Sequence, residues 1–218
     1  MAGMIDPVCY HSRSLAIGLF NTETLLSQRQ REYIRELRPN LIAATLLLAL
    51  GVFAGILLAG HSTFAGVKVG ESMGGFAQLF VNLPKPLLAA VIFANNALKT
   101  LLVIVLGIVF GIVPIAFLLV NGLAIGVVIH LSTQTRGLLN SLLAIVPHGV
   151  FELPGVLLGA TIGLMLGIKA TKRLFGKAEF KVGYELGRAL RFFLTAIVPL
   201  LLIGAVTEAY LTAALVGR

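Results

Sequence analysis

His148 and Glu152 stand four residues apart in a stretch, Leu138 to Ile168, that holds no other charged side chain. On a helix that spacing puts imidazole and carboxylate on one face, within reach of a direct or water-bridged hydrogen bond. Such a pair can respond to protons or ions, or supply two ligands of a metal. It can equally serve structure alone, Glu152 accepting from amides that Pro147, Gly149 and Pro154 leave exposed. Five more polar side chains lie where apolar residues surround them: Asn95, Asn96, Lys99, Asn121 and Glu208. Asparagine both donates and accepts, and such contacts between membrane helices contribute about 0.6–2 kcal/mol. Neighbouring helical residues point roughly 100° apart, so at Asn95-Asn96 either the backbone breaks or the helix is buried on two sides. Lys99 can neutralise Glu152 or Glu208 in low dielectric, or snorkel to the membrane surface.

Catalysis is not what this set suggests. No Ser/His/Asp arrangement stands out, the second histidine of a zinc-protease motif is missing, and His148 with Glu152 lacks a nucleophile or a full ligand set. No catalytic residue, metal site or cofactor is expected, and an embedded hydrolase ranks below a scaffold or a transporter.

The surroundings give these residues their meaning. Hydrophobic residues make up 58% of the 218 positions and charged ones 12%, against about 25% in soluble domains. Mean hydropathy is +0.99. Between Ala97 and Leu131 the one charge is Lys99. The expected fold is therefore all-α: a polytopic membrane helical bundle with about five crossings. The length leaves no room for a large soluble enzyme domain as well. Net charge is +8, but seven of the seventeen basic residues fall within Lys169–Arg191 and four within Arg29–Arg38. Both clusters adjoin apolar spans, a pattern of anionic lipid and positive-inside topology rather than of nucleic acid. Cys9 is the sole cysteine, so neither an intrachain disulfide nor a thiolate zinc site is available. The start of the chain lacks the pattern of a cleaved secretory signal.

Two domains are expected. Residues 1–38 read as a cytoplasmic amphipathic arm, with a helix over Thr24–Leu37 that can lay Leu25, Leu26, Ile34 and Leu37 on a membrane surface. Residues 39–218 read as a single transmembrane domain. Pro39 suits the first turn of the first span, Asn40–Gly60. His61–Lys85 is too polar and Gly-rich to cross. Leu87–Ile129 fits two crossings that turn around Gly107–Pro114, with Asn121-Gly122 as the alternative turn. After a polar linker, His130–Gly137, the nine residues Leu138–Val146 are too short to span. They suggest a broken or re-entrant half-helix ahead of a fourth crossing, Val150–Ile168. A basic connection, Lys169–Arg191, leads to a fifth crossing over Phe192–Val216, bent at Pro199. Five crossings place both basic clusters on one side, the cytoplasmic one. The glycine pairs Gly51/Gly55, Gly107/Gly111, Gly122/Gly126 and Gly159/Gly163 predict close helix packing, within the chain or between copies.

The same residues carry a family resemblance. Asn95-Asn96-x-x-Lys99, Gly107-x-x-x-Gly111-x-x-Pro114 and Asn121-Gly122-x-x-x-Gly126 resemble the central block of the stage II sporulation protein M family. Pro147-His148-Gly149-x-x-Glu152, followed by Gly163, resembles that family's most recognisable motif, and Glu208-Ala209 its closing acidic position. The similarity covers roughly residues 35 to 215. It implies a multipass component of a membrane complex, which in spore formers works beside a peptidoglycan-remodelling partner during engulfment. Members also occur where neither spores nor peptidoglycan are made, so a shared property such as transport could underlie the role.

Two functions follow as expectations. The first is a membrane scaffold or assembly component whose buried polar core fixes the bundle. The alternative is a small ion or solute transporter or channel lined by the His/Glu/Asn cluster. The expected partners are the lipid bilayer, membrane-complex proteins and a second copy of the chain.

Overall fold

The computed structural model describes residues 7–61, 83–176 and 179–212, and among them every regular element is helical. The chain divides into two compact units, Met1–Arg38 and Pro39–Arg218. Five helices are long and apolar enough to cross a membrane: Arg31–Gly60, Lys85–Leu106, Ile112–Thr135, Gly149–Leu174 and Val182–Tyr210. The chain is a multi-pass membrane protein.

Helix α1 runs Pro7–His61 and passes through Pro39 without a break. Pro39 therefore does not open a new helix. Its ring removes one amide donor, a loss that is tolerable at the polar edge of a span, where headgroups and water can satisfy the freed carbonyl.

Helix α2, Lys85–Leu106, starts at Pro84 and Pro86, whose fixed φ suits a first turn. It ends in the turn Gly107–Gly111, inside the expected range, where Phe110 (φ 53°) and Gly111 (φ 73°) are left-handed. Helix α3, Ile112–Arg136, then runs straight through Asn121-Gly122, which rules out the alternative turn. It also absorbs the polar linker expected from His130. The break is left to Gly137 alone (φ 76°).

Helix α4, Leu138–Leu174, is continuous through Pro147-His148-Gly149 and Pro154. The expected half-helix or re-entrant dip is thus corrected. A proline inside a helix costs about 3 kcal/mol. Ending the helix there would instead leave about four donors and four acceptors without partners in hydrocarbon, each worth several kcal/mol. Continuing is the cheaper course.

The last crossing begins earlier than expected. Much of the basic connection is helical: Lys169–Leu174 completes α4, and α5 occupies Val182–Phe192. A π-turn, Phe193–Ile197, leads into α6, Val198–Thr207, and a second, Glu208–Thr212, follows. The adjustment expected at Pro199 takes the form of the first π-turn. Pro199 has no N–H for the Thr195 carbonyl, and the wider turn takes up the mismatch.

Helix α4 is the centre of the bundle: 61% of its most apolar stretch is buried, against 17–33% in the other four spans. Ala44 and Leu48 of α1, Val103 of α2, Leu118 of α3, and Ala160 and Leu164 of α4 form one apolar core. The glycine pairs work within the chain. A Cβ on Gly51 would lie 2.6 Å from the Leu119 carbonyl oxygen, and one on Gly126 would lie 2.9 Å from the Ile56 nitrogen. Helices α1 and α3 thus meet backbone to backbone. A Cβ on Gly163 would meet the Val103 carbonyl oxygen at 2.6 Å and Pro114 Cγ at 2.7 Å, so α2, α3 and α4 converge there. Such close approach strengthens dispersion, the main attraction between helices already in lipid.

Most of the connection expected over His61–Lys85 (62–82), the side chains of Leu25 and Leu26, and the end of the expected fifth crossing (213–216) lie outside the described residues.

Candidate functional site: a polar contact between three helices

Residues Asn96, Thr100 and Val103 of α2 meet Glu152, Gly159 and Gly163 of α4 in step, so the two helices run parallel. Leu201 and Gly204 of α6 meet Gly155 and Glu152 in reverse order, so α6 runs antiparallel to α4. Glu152 sits where the three join.

The Glu152 side chain is 1% exposed. Asn96 Nδ2 donates to its Oε2 at 2.5 Å. Asn95 Nδ2 in turn donates to Asn96 Oδ1 at 3.4 Å, the long end of the hydrogen-bond range. Asn96 thus uses both ends of its amide, accepting from its neighbour and donating to the carboxylate. The α2 backbone does not break at the doublet; both asparagines are half-buried on a continuous helix. A hydrogen bond to a charged partner in low dielectric is worth about 1.5–3 kcal/mol.

Gly204 makes room for the carboxylate from the third side. A Cβ there would lie 2.5 Å from Glu152 Cγ and 3.2 Å from both Glu152 N and Phe151 Cβ. One turn below, a Cβ on Gly155 would lie 2.7 Å from Leu201 Cδ2. On α2, one turn from Asn96, the fully buried Thr100 turns its methyl into the notch at Gly159.

Of the expected polar residues, Asn95, Asn96 and Glu152 come together. Asn121 does not join them: its Nδ2 donates to the Phe117 carbonyl one turn back, at 2.7 Å. Lys99 is exposed on α2, and among the described residues no ion pair links it to Glu152 or Glu208. Burying an ammonium beside either carboxylate would desolvate two ions, whereas an exposed Lys99 can snorkel along the helix toward the membrane surface. Glu208 opens the last π-turn, half-buried and four residues past Gly204, which places it on the face of α6 that meets Glu152. His148 lies on α4 four residues before Glu152, but its side chain is outside the described residues, and so is the expected His148–Glu152 pairing. Among the described residues no three His, Cys, Asp or Glu side chains gather closely enough to share a metal ion.

Gly204, Gly155, Gly167 and Thr100 were missed from sequence. For α4 the signal was present: Gly155, Gly159, Gly163 and Gly167 repeat every four residues, one unbroken small face. Gly204 stands alone in an apolar run and carries no such mark.

No solved structure matches the chain. A protein of Methanocaldococcus jannaschii, named only as uncharacterized, is 32% identical over 123 residues, covering 56% of this chain and 68% of its own length. The family model described as stage II sporulation protein M matches residues 40–213, which include Asn96, Glu152, Gly204 and Glu208. The match covers the whole of the polar contact and most of the chain, and the chain belongs to the stage II sporulation protein M family.

Proposed function

We propose that this protein is a membrane scaffold whose three-helix polar contact fixes the bundle so that its ends can hold partner proteins in a membrane complex. One observation carries this reading. Glu152 is 1% exposed, bonded by Asn96 from α2 and packed against Gly204 of α6. A carboxylate lining a transport route needs a path to water, whereas this one is closed in by neighbouring helices. The bond from Asn96 to its Oε2 ties α4 to α2.

The arm, residues 1–38, and the Lys169–Arg191 connection are assigned to the cytoplasmic side, on the strength of their basic clusters. Complex partners, or a second copy of the chain, would engage these ends, because the glycine faces between spans are taken up inside the bundle.

The test is reconstitution of the full chain into sealed vesicles. The scaffold reading expects no solute or ion flux above empty vesicles, and Glu152→Gln lowers folded yield. Flux through the wild type that Glu152→Gln abolishes while the protein stays folded would establish transport instead.

A further inference from the structure

The end of α4 and the start of α5 form a corner that the three-helix contact does not use. Lys169 Nζ lies 3.0 Å from Glu185 Oε2, and Arg188 Nη1 lies 3.4 Å from the same oxygen. Arg173 Nη1 donates to the Phe180 carbonyl. These bonds tie the last turn of α4 to α5 and engage the acid Glu185. What faces outward is basic and oily together. Lys172, Arg173, Lys181 and Arg191 are exposed, with Glu179 the acidic neighbour. Leu174 and Phe175, in sequence beside that basic turn, are 68% and 69% exposed.

Two large exposed apolar side chains beside several cations would make a poor aqueous surface. The corner follows directly on a membrane span, which puts it at headgroup depth, where an oily anchor and a cationic grip are both useful. We infer that this corner binds anionic phospholipid. Lys172, Arg173 and Lys181 hold the phosphodiester, and Leu174 and Phe175 insert beside the acyl chains. Arg173 keeps donors for a phosphate beyond the one given to Phe180, since a guanidinium carries five. Phosphatidylcholine offers the same phosphate but adds a cation of its own, so it gains little from the patch.

The full-length protein, placed in nanodiscs of equal phosphatidylglycerol and phosphatidylcholine and released into mild detergent, is analysed by native mass spectrometry for retained lipid. The wild type retains phosphatidylglycerol preferentially. The preference falls about fivefold for each lysine neutralised in Lys172→Gln and Lys181→Gln, and is kept when both are changed to arginine. Lys99→Gln, away from the corner, changes nothing. Raising salt during release weakens the preference of the wild type itself, a readout that needs no variant. Equal retention of the two lipids, a wild-type preference in the double glutamine variant, or indifference to salt overturns the assignment.

Discussion

Gly204 of α6 and Glu152 of α4 are fitted to each other: a methyl group at position 204 would fall 2.5 Å from Glu152 Cγ. The neighbour in the way includes the α4 backbone, with Glu152 N at 3.2 Å, so the contact cannot relax by a rotamer change alone. Gly204→Ala is expected to lower stability by about 1–3 kcal/mol, the usual cost of overpacking. Gly187→Ala, at an exposed site with nothing within 4 Å, should be neutral or stabilising by up to about 1 kcal/mol. Unfolding of both variants in mixed micelles checks the contrast.

Asn96 and Glu152 should be energetically coupled. Asn96→Ala takes the amide donor away from Glu152 and is expected to cost about 1–3 kcal/mol. In a double-mutant cycle with Glu152→Gln, the coupling should fall at about 0.6–1.7 kcal/mol, the range found between membrane helices. Additive single effects would mean the bond contributes nothing to the fold.

Helices α1 and α3 meet through glycine on both sides, so either partner is sensitive. A Cβ on Gly126 would sit 3.0 Å from Gly55 Cα and 2.9 Å from Ile56 N, both backbone atoms. Gly126→Ala must push the helices apart, and a loss of at least about 1–3 kcal/mol is expected. Gly149→Ala, also helical but with nothing within 4 Å, is the matched control in the same unfolding measurement.

The two ends of α4 must lie on opposite sides of the membrane. Leu139 in the first turn of the helix and Lys172 in its last are both exposed; at 1.5 Å per residue they are roughly 50 Å apart along its axis. With Cys9 changed to serine, single cysteines at these two positions should react from opposite faces with an impermeant maleimide in sealed vesicles. Labelling of both from one face would restore the re-entrant path that the continuous α4 excludes.

Gly111 should tolerate substitution poorly for a backbone reason. Its φ of 73° is left-handed, a conformation costing a residue with a Cβ about 1–2 kcal/mol. Gly111→Ala is expected to lose that amount in the same micelle assay.

The number of crossings and the turn at Gly107–Gly111 were legible in the sequence because hydropathy, glycine and chain length all bear on the same point. Pro147 misled, since proline was weighed as it acts in water. In hydrocarbon the alternative to a strained helix is a set of amides with no partners, and the helix persists. The polar residues were recognised by type, but their pairing was not. Nothing local announces that Asn96 meets Glu152 rather than that Lys99 does, because the choice depends on the register of α2 against α4. Their small-residue faces set that register, and the four-residue glycine repeat of α4 was only half read. Asn121 looked like a member of the cluster, yet one turn of its own backbone satisfies it.

Because Asn96 and Glu152 are separated by 56 residues, with an antiparallel helix between them, they cannot meet while the chain is being threaded into the bilayer in order. At about 5–20 residues per second, the second crossing waits some seconds for its acceptor after its asparagines have left the ribosome. Its two amides must be sheltered meanwhile by the insertion machinery or by water at the channel wall. The contact that locks the finished bundle therefore forms late, after the fourth crossing has entered the bilayer.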